Sequence, residues 1–173
     1  MITSLEVVDT AIKIGLGALI SGIAAYVTAK FSHTKDIEKT RLLRRMDLLE
    51  DVARYVQKLT IAGLAFYSLT ATRASYFQRD GKVPDDAQSK WEESDSQLNN
   101  ALGDATNAEA VLLLLGEPDC QTTLREYGQY MADFSYAAFY LEKCSVSDAH
   151  EFRAKLLEMR KTFFTVLGGA YER

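Results

Sequence analysis

The feature that most constrains this chain is a long apolar segment close to its N-terminus. Residues 14–29 are 16 consecutive positions without a charge, and the segment reaches 19 residues when it is extended to residue 11 with Lys13 snorkelling to its edge. A helix rises about 1.5 Å per residue, so the segment would measure roughly 28 Å, close to the roughly 30 Å core of a bilayer. We therefore predict a single transmembrane helix within an N-terminal membrane anchor at residues 1–30.

Two other interpretations of the apolar segment must be weighed against a membrane span. A cleaved signal peptide begins with positive charge, whereas residues 1–10 carry Glu6 and Asp9 and no cation. The uncharged core is also short and rich in glycine, so an apolar helix docked on a partner protein is a second alternative. The membrane span is the favoured interpretation of the three.

The charges beside the segment predict its orientation. Residues 30–45 carry six cations against two acids. Lys and Arg beside a span are retained on the cytoplasmic side, so the sequence predicts a single-pass membrane protein with its C-terminal domain in the cytoplasm. Residues 31–45 would form a basic juxtamembrane neck near anionic lipid headgroups, where each cation contributes about 1 kcal/mol. The predicted headgroup contacts are Lys30, Lys35, Lys39, Arg41, Arg44 and Arg45.

Small residues recur along one side of the predicted span. Gly17, Ser21 and Ala25 fall at every fourth position, and Gly22 lies beside them. Small residues let two helices approach closely in lipid, where there is no hydrophobic drive for association. We predict that the span self-associates through these four residues and forms a homo-oligomer. A strip that faces the helix of another protein is the alternative.

Residues 46–173 predict a cytoplasmic helical bundle. Apolar residues recur at three–four spacing, which indicates a long first helix over 36–79 and later helices from Pro84, Asp119 and Asp148. Short connections favour antiparallel neighbours, so we predict an all-α fold with an up-down-up-down four-helix bundle after the transmembrane helix. Asp148 and Glu151 resemble a capping box at the start of the last helix.

The charge of the bundle argues against nucleic acid as a partner. Residues 46–173 contain 13 Lys and Arg against 20 Asp and Glu, a net charge of −7. Proteins that bind nucleic acid present basic surfaces instead. The two cysteines, Cys120 and Cys144, would lie near opposite ends of one helix, too far apart for a disulfide. The absence of a predicted disulfide fits a reducing cytoplasm.

No arrangement of residues typical of an enzyme is present. The chain has only two histidines, His33 and His150, and neither has a Glu three positions before it as in di-metal carboxylate bundles. Neither histidine is expected to lie in a pocket as a nucleophilic triad requires, and no glycine-rich phosphate loop occurs. We predict a protein that is not an enzyme and that holds no metal or cofactor.

Three features predict specific contacts inside the bundle. Arg73 and Asp133 are isolated charges in apolar stretches at similar heights, so we predict that they form a buried ion pair. Gly63 and Gly128 also fall at similar heights, which predicts a close crossing of their helices. The alternative is a pocket at the two glycines, lined by Phe66, Tyr67, Tyr127 and Met131. The aromatic-rich segment 127–140 is expected to belong to the core, with a ligand-binding groove as the alternative.

These features together predict a membrane-anchored helical bundle that acts in interaction, sensing or scaffolding. Its expected partners are membrane lipids, a second copy of itself and another protein. The alternative is a small membrane-disrupting or pore-forming effector of the toxin or lysis type. Only Ser21 and Thr28 could supply a polar stripe along the span, so the sequence favours the interaction module.

Overall fold

A computed structural model of the protein describes the backbone of residues 4–140 and 144–172 and the side chains of residues 36–139 and 144–172. Within this part of the chain there are four α-helices and no β-strand. The helices are α1 (Ser4–Asp80), α2 (Asp85–Leu114), α3 (Pro118–Tyr140) and α4 (Val146–Tyr171). The prediction of an all-α four-helix bundle with a long first helix is confirmed.

The chain divides into two compact units, residues 1–44 and residues 45–173. In the first unit, all side chains from residue 36 to residue 44 are exposed. The side chains of the predicted span, with its four self-association positions, lie outside the described residues, as do those of Lys30 and Lys35. Within the described residues, no helix is long and apolar enough to cross a membrane.

In the second unit, consecutive helices run antiparallel. In three antiparallel pairs, one contact near each end shows the direction. These contacts are Arg73 with Gln88 and Arg45 with Leu115 for α1 and α2, Glu109 with Arg125 and Asp95 with Ser135 for α2 and α3, and Tyr67 with His150 and Glu50 with Tyr171 for α1 and α4. The helices α1 and α3 run parallel. Thr60 of α1 contacts Tyr127 of α3, and further along both helices Phe66 contacts Phe134.

The buried positions of α1 and α2 alternate in steps of three and four residues. They are Leu49, Val52, Val56, Leu59, Gly63, Phe66 and Thr70 in α1, and Trp91, Ser94, Leu98, Ala101, Ala105, Ala108 and Leu112 in α2. Thr60 of α1 is buried as well, beside this alternation. This alternation holds one stripe of each helix towards the core, as in other helical bundles. Ile61 lies off the stripe and is 59% exposed although it is apolar.

Gly63 lies where α1, α3 and α4 meet. A Cβ atom on Gly63 would lie 2.9 Å from Cδ1 of Leu156 and 3.0 Å from Sδ of Met131. The predicted close approach of helices at Gly63 is therefore confirmed. Gly128 instead faces α2, where its Cβ would lie an ordinary 3.6 Å from Leu102. The prediction that the two glycines share one crossing is wrong.

The residues that follow α2 explain why this helix ends where it does. Gly116 follows α2 with φ +72°, and the N–H groups of Gly116 and Glu117 donate to the carbonyls of Leu113 and Leu112. These bonds form a Schellman motif, which requires the left-handed conformation that glycine adopts readily.

The capping box of α4 lies three residues earlier than predicted. Ser145 is the N-cap, and its hydroxyl accepts a hydrogen bond of 3.1 Å from the N–H of Asp148. The Asp148 carboxylate accepts one of 2.8 Å from the N–H of Ser145. Asp148 therefore fills the third helical position, and Glu151 is not part of the box. The short Asp side chain replaces the Glu or Gln usual at this position.

Candidate functional site

A groove of about 460 Å³ lies at the end of the bundle where α1 finishes and α4 begins. We call it the Arg73 groove. The last turns of α1 supply one wall, and the residues that lead into α4 supply the other. Its lining residues are Arg73, Ala74, Phe77, Gln78, Cys144, Ser145 and Val146.

Arg73 is held in a fixed position beside the groove. Its Nε donates a hydrogen bond of 3.0 Å to Oε1 of Gln88 in α2. Its Cζ lies 4.5 Å from the ring centroid of Trp91, the arrangement of a cation–π interaction. The guanidinium therefore has one contact along its edge and one across its face, and it is half-buried.

Trp91 is itself fixed by neighbours on α1 and α3. Its indole N–H donates a hydrogen bond of 2.9 Å to the Thr70 hydroxyl of α1. Its ring stacks on Phe139 of α3 at a centroid distance of 5.2 Å and packs against Phe66 at 5.7 Å. Because Trp91 is 2% exposed, Arg73 rests on a rigid part of the core rather than on a mobile surface side chain.

The predicted buried ion pair between Arg73 and Asp133 is wrong. Asp133 is exposed, and its carboxylate accepts a hydrogen bond of 2.7 Å from Gln129 on the same helix. Arg73 instead contacts Gln88 and Trp91 of α2. Similar heights along two helices do not bring side chains together when these point in different directions around the bundle. Within the described residues Arg73 has no carboxylate partner.

Cys144 lies half-buried in the wall opposite Arg73. Burial raises the pKa of its thiol, the negative charge of Asp148 raises that pKa further, and the positive charge of Arg73 lowers it. The thiol is therefore held in its neutral form at neutral pH, which is unfavourable for nucleophilic catalysis. In the part of the chain described here, no group of His, Cys, Asp and Glu is arranged to hold a metal ion.

The residues predicted to contact lipid headgroups fall into three groups. Lys39, Arg41 and Arg44 are exposed, and their contact with lipid stays a prediction. Lys30 and Lys35 lie outside the residues whose side chains are described. Arg45 belongs to the bundle instead: its guanidinium pairs with Glu117 and donates to the carbonyl oxygens of Leu115 and Ala170, so its assignment as a headgroup contact is wrong.

The aromatic-rich segment of α3 belongs mainly to the core. Tyr127 is 0% exposed, and its hydroxyl lies 2.9 Å from that of Thr60. Because the Thr60 hydroxyl already donates to the carbonyl of Val56, Tyr127 is the donor in this pair. Burial raises the pKa of Tyr127 to about 12, and the positive charge of Arg160 opposes the shift. The Arg73 groove lies elsewhere, so the aromatic segment did not reveal it.

Only one signal in the sequence pointed to the groove. Arg73 is the single charge in the stretch 59–78 of α1, and an isolated cation in an apolar stretch indicates a specific environment. Its neighbours come from two other parts of the chain, Gln88 and Trp91 from α2 and Cys144 from the segment before α4, and no spacing rule connects either part to Arg73. No protein-family model matches the sequence, and comparisons with curated proteins and with solved structures gave no significant match.

Proposed function

We propose that this protein is a membrane-anchored helical bundle that acts as an interaction, sensing or scaffold module. One observation carries the proposal: the 19-residue apolar segment 11–29 is followed directly by six cations in residues 30–45. This order of apolar and basic residues is typical of a single-pass anchor with a cytoplasmic domain on its C-terminal side. The acidic bundle after it would be the part that meets partners.

A binding role rather than an enzymatic one is supported by the chemistry of the described residues. The Arg73 groove offers a cation, an exposed aromatic ring and a neutral thiol. The Ser145 hydroxyl in its lining is held by the Asp148 carboxylate within the capping box, and no histidine lies beside it among the described lining residues. We infer no cofactor for the module. Its partners in this proposal are membrane lipids, a second copy of the chain and another protein, and nucleic acid is disfavoured by the net charge of −7 over residues 46–173.

Membrane anchoring is tested by extraction and by a topology reporter on the full chain. Membranes washed with alkaline carbonate should retain the protein, and a reporter fused after Arg173 should be active on the cytoplasmic side. A variant with Leu19→Asp and Ile20→Asp should be lost from the membrane, because charges at the centre of a span cost about 2.5–3.5 kcal/mol each. Release of the parent by carbonate would show that residues 11–29 are docked on another protein.

Self-association through the span is tested by crosslinking in membranes. Ile at Gly17, Ser21 and Gly22 should abolish the crosslinked dimer while the protein remains inserted, because bulky residues keep the two helices apart. Ala24→Ile is the matched control, since Ala24 lies off the strip, and it should crosslink like the parent. If the three-site variant crosslinks as strongly as the parent, assembly comes from the bundle. If neither the parent nor the variant crosslinks, the chain does not self-associate.

A further inference from the structure

We propose that the Arg73 groove binds a small amphipathic monocarboxylate, with its carboxylate on the guanidinium of Arg73 and a short apolar tail against Phe77. This inference goes beyond the proposed function, because it names a ligand class for the bundle. It uses only residues of the unit 45–173 and does not depend on insertion of the N-terminal segment into lipid.

The size and lining of the groove fit a small organic molecule. Its volume of about 460 Å³ lies within the roughly 300–1,000 Å³ typical of ligand pockets. Ala74, Phe77 and Val146 make much of its surface apolar. Phe77 is 65% exposed, so an apolar tail laid against its ring would remove apolar surface from water.

The charge in the groove favours an anionic head group. The Nε of Arg73 is occupied by Gln88, whereas its two Nη atoms have no hydrogen-bond acceptor within the described part of the protein. A guanidinium presents its donors as a planar fork that matches the two oxygens of a carboxylate. The contact with Trp91 holds the fork in place, which lowers the entropy lost on binding.

A second charge near the groove selects a monoanion over a dianion. The Asp148 carboxylate contacts Ser145, which lines the groove, and its charge also raises the pKa of the Cys144 thiol. It is bound to the N–H and hydroxyl of Ser145, so it stays beside the groove as a fixed negative charge. A phosphate monoester, with a charge near −2, would be repelled more strongly than a carboxylate with a single charge.

Trp91 provides a direct readout of binding. It is the only tryptophan of the chain, and its ring lies 4.5 Å from Cζ of Arg73. Its fluorescence should therefore respond to an anion that binds the guanidinium. Protection of Cys144 from maleimide, followed on its own peptide by mass spectrometry, gives a second readout that does not depend on Trp91.

The experiment titrates the purified full chain with hexanoate, hexanamide and hexyl phosphate, which are water-soluble probes with apolar tails of similar length. Hexanoate should change Trp91 fluorescence saturably, with a dissociation constant on the order of 1 mM, and should slow labelling of Cys144. Hexanamide and hexyl phosphate should each bind at least tenfold more weakly. Equal binding of hexanoate and hexanamide would overturn the proposal, because the charge would then be irrelevant. Tighter binding of hexyl phosphate would overturn the choice of a monocarboxylate.

Variants of two arginines complete the test. Arg73→Gln should abolish hexanoate binding in both readouts, and Arg73→Lys should weaken it because the planar fork is lost. Arg79→Gln is the control, since Arg79 lies on the same helix, pairs with Asp80 and does not line the groove. Thermal melting of each variant identifies loss of fold. Hexanoate binding by folded Arg73→Gln at the parent's affinity would exclude the site. Carbonate extraction reports on membrane anchoring separately, so the two proposals fail independently.

Discussion

Arg45 of α1 forms an ion pair with Glu117, which lies between α2 and α3, and this pair joins three helix ends. The same guanidinium donates to the carbonyl oxygens of Leu115, at 3.2 Å, and Ala170, at 3.3 Å. Both carbonyls lie at helix C-termini, where the helix dipole favours a positive charge. The Glu117 side chain is only 5% exposed, so Arg45 stabilises a buried negative charge.

Replacing Arg45 should therefore destabilise the bundle. Arg45→Gln should lower the free energy of unfolding by about 3 kcal/mol, because it leaves a buried carboxylate without its arginine and two carbonyls without a donor. Urea denaturation followed by circular dichroism measures the change. Arg44→Gln, at the exposed neighbouring position, should change stability by less than about 1 kcal/mol. Equal effects of the two substitutions would contradict the role given to Arg45.

Gly63 should tolerate no large side chain. Gly63→Leu should cost about 1–3 kcal/mol or more, because even its Cβ would press on Leu156 and Met131. Gly63→Ala should be close to neutral, since those neighbours are flexible side-chain ends and alanine gains about 1 kcal/mol of helix propensity. Gly103→Ala is the control, because Gly103 has open space around it and the change should stabilise α2. Parent-like melting of Gly63→Leu would show that the three helices do not meet closely there.

Tyr127 should make the stability of the bundle sensitive to alkaline pH. Its pKa is raised to about 12 in the folded protein, above the value of about 10 for an exposed tyrosine. The folded chain therefore holds this proton more tightly than the unfolded chain. The resulting stability is fully present below pH 10 and is lost as the pH rises towards 12.

The test compares urea midpoints of the parent and Tyr127→Phe at pH 8 and pH 11. At pH 8 the variant should be about 1 kcal/mol less stable, because the hydrogen bond with Thr60 is lost. At pH 11 the difference in stability should close or reverse. Only the parent has a buried phenol that loses its proton on unfolding, and this ionisation favours the unfolded state of the parent. A gap that stays constant between the two pH values would contradict the assignment.

The N-cap of α4 should be Ser145 and not Asp148. Ser145→Ala should lower the free energy of unfolding by about 1 kcal/mol, because its hydroxyl bonds the N–H of Asp148 at the helix start. Thermal melting measures the loss. Ser147→Ala and Glu151→Ala serve as controls, since both residues are exposed and lie outside the capping box. A larger loss from Glu151→Ala than from Ser145→Ala would restore the capping box predicted from the sequence.

Local patterns in the sequence were sufficient for the architecture. The three–four spacing of apolar residues predicted four helices, and the short connections predicted antiparallel neighbours. Gly81 and Gly116, which carry φ of +66° and +72°, end their helices because only glycine adopts this conformation easily. These features depend on residues close together in the sequence, so their physical causes are local.

The direction in which each side chain points around the bundle was decided only by tertiary structure. The predicted pair of Arg73 and Asp133 relied on their similar heights along the two helices. Height alone does not define the direction in which a side chain points around its helix, so the prediction was wrong. For the same reason, the sequence predicted one helix crossing at Gly63 and Gly128, although the two glycines face different helices. The sequence placed Arg45 in the basic neck. In the fold, the C-terminal ends of α2 and α4 lie beside Arg45, and their carbonyl oxygens accept hydrogen bonds from its guanidinium. The Arg73 groove forms where the end of α1 meets the start of α4, and Gln88 and Trp91 of α2 hold its arginine in place.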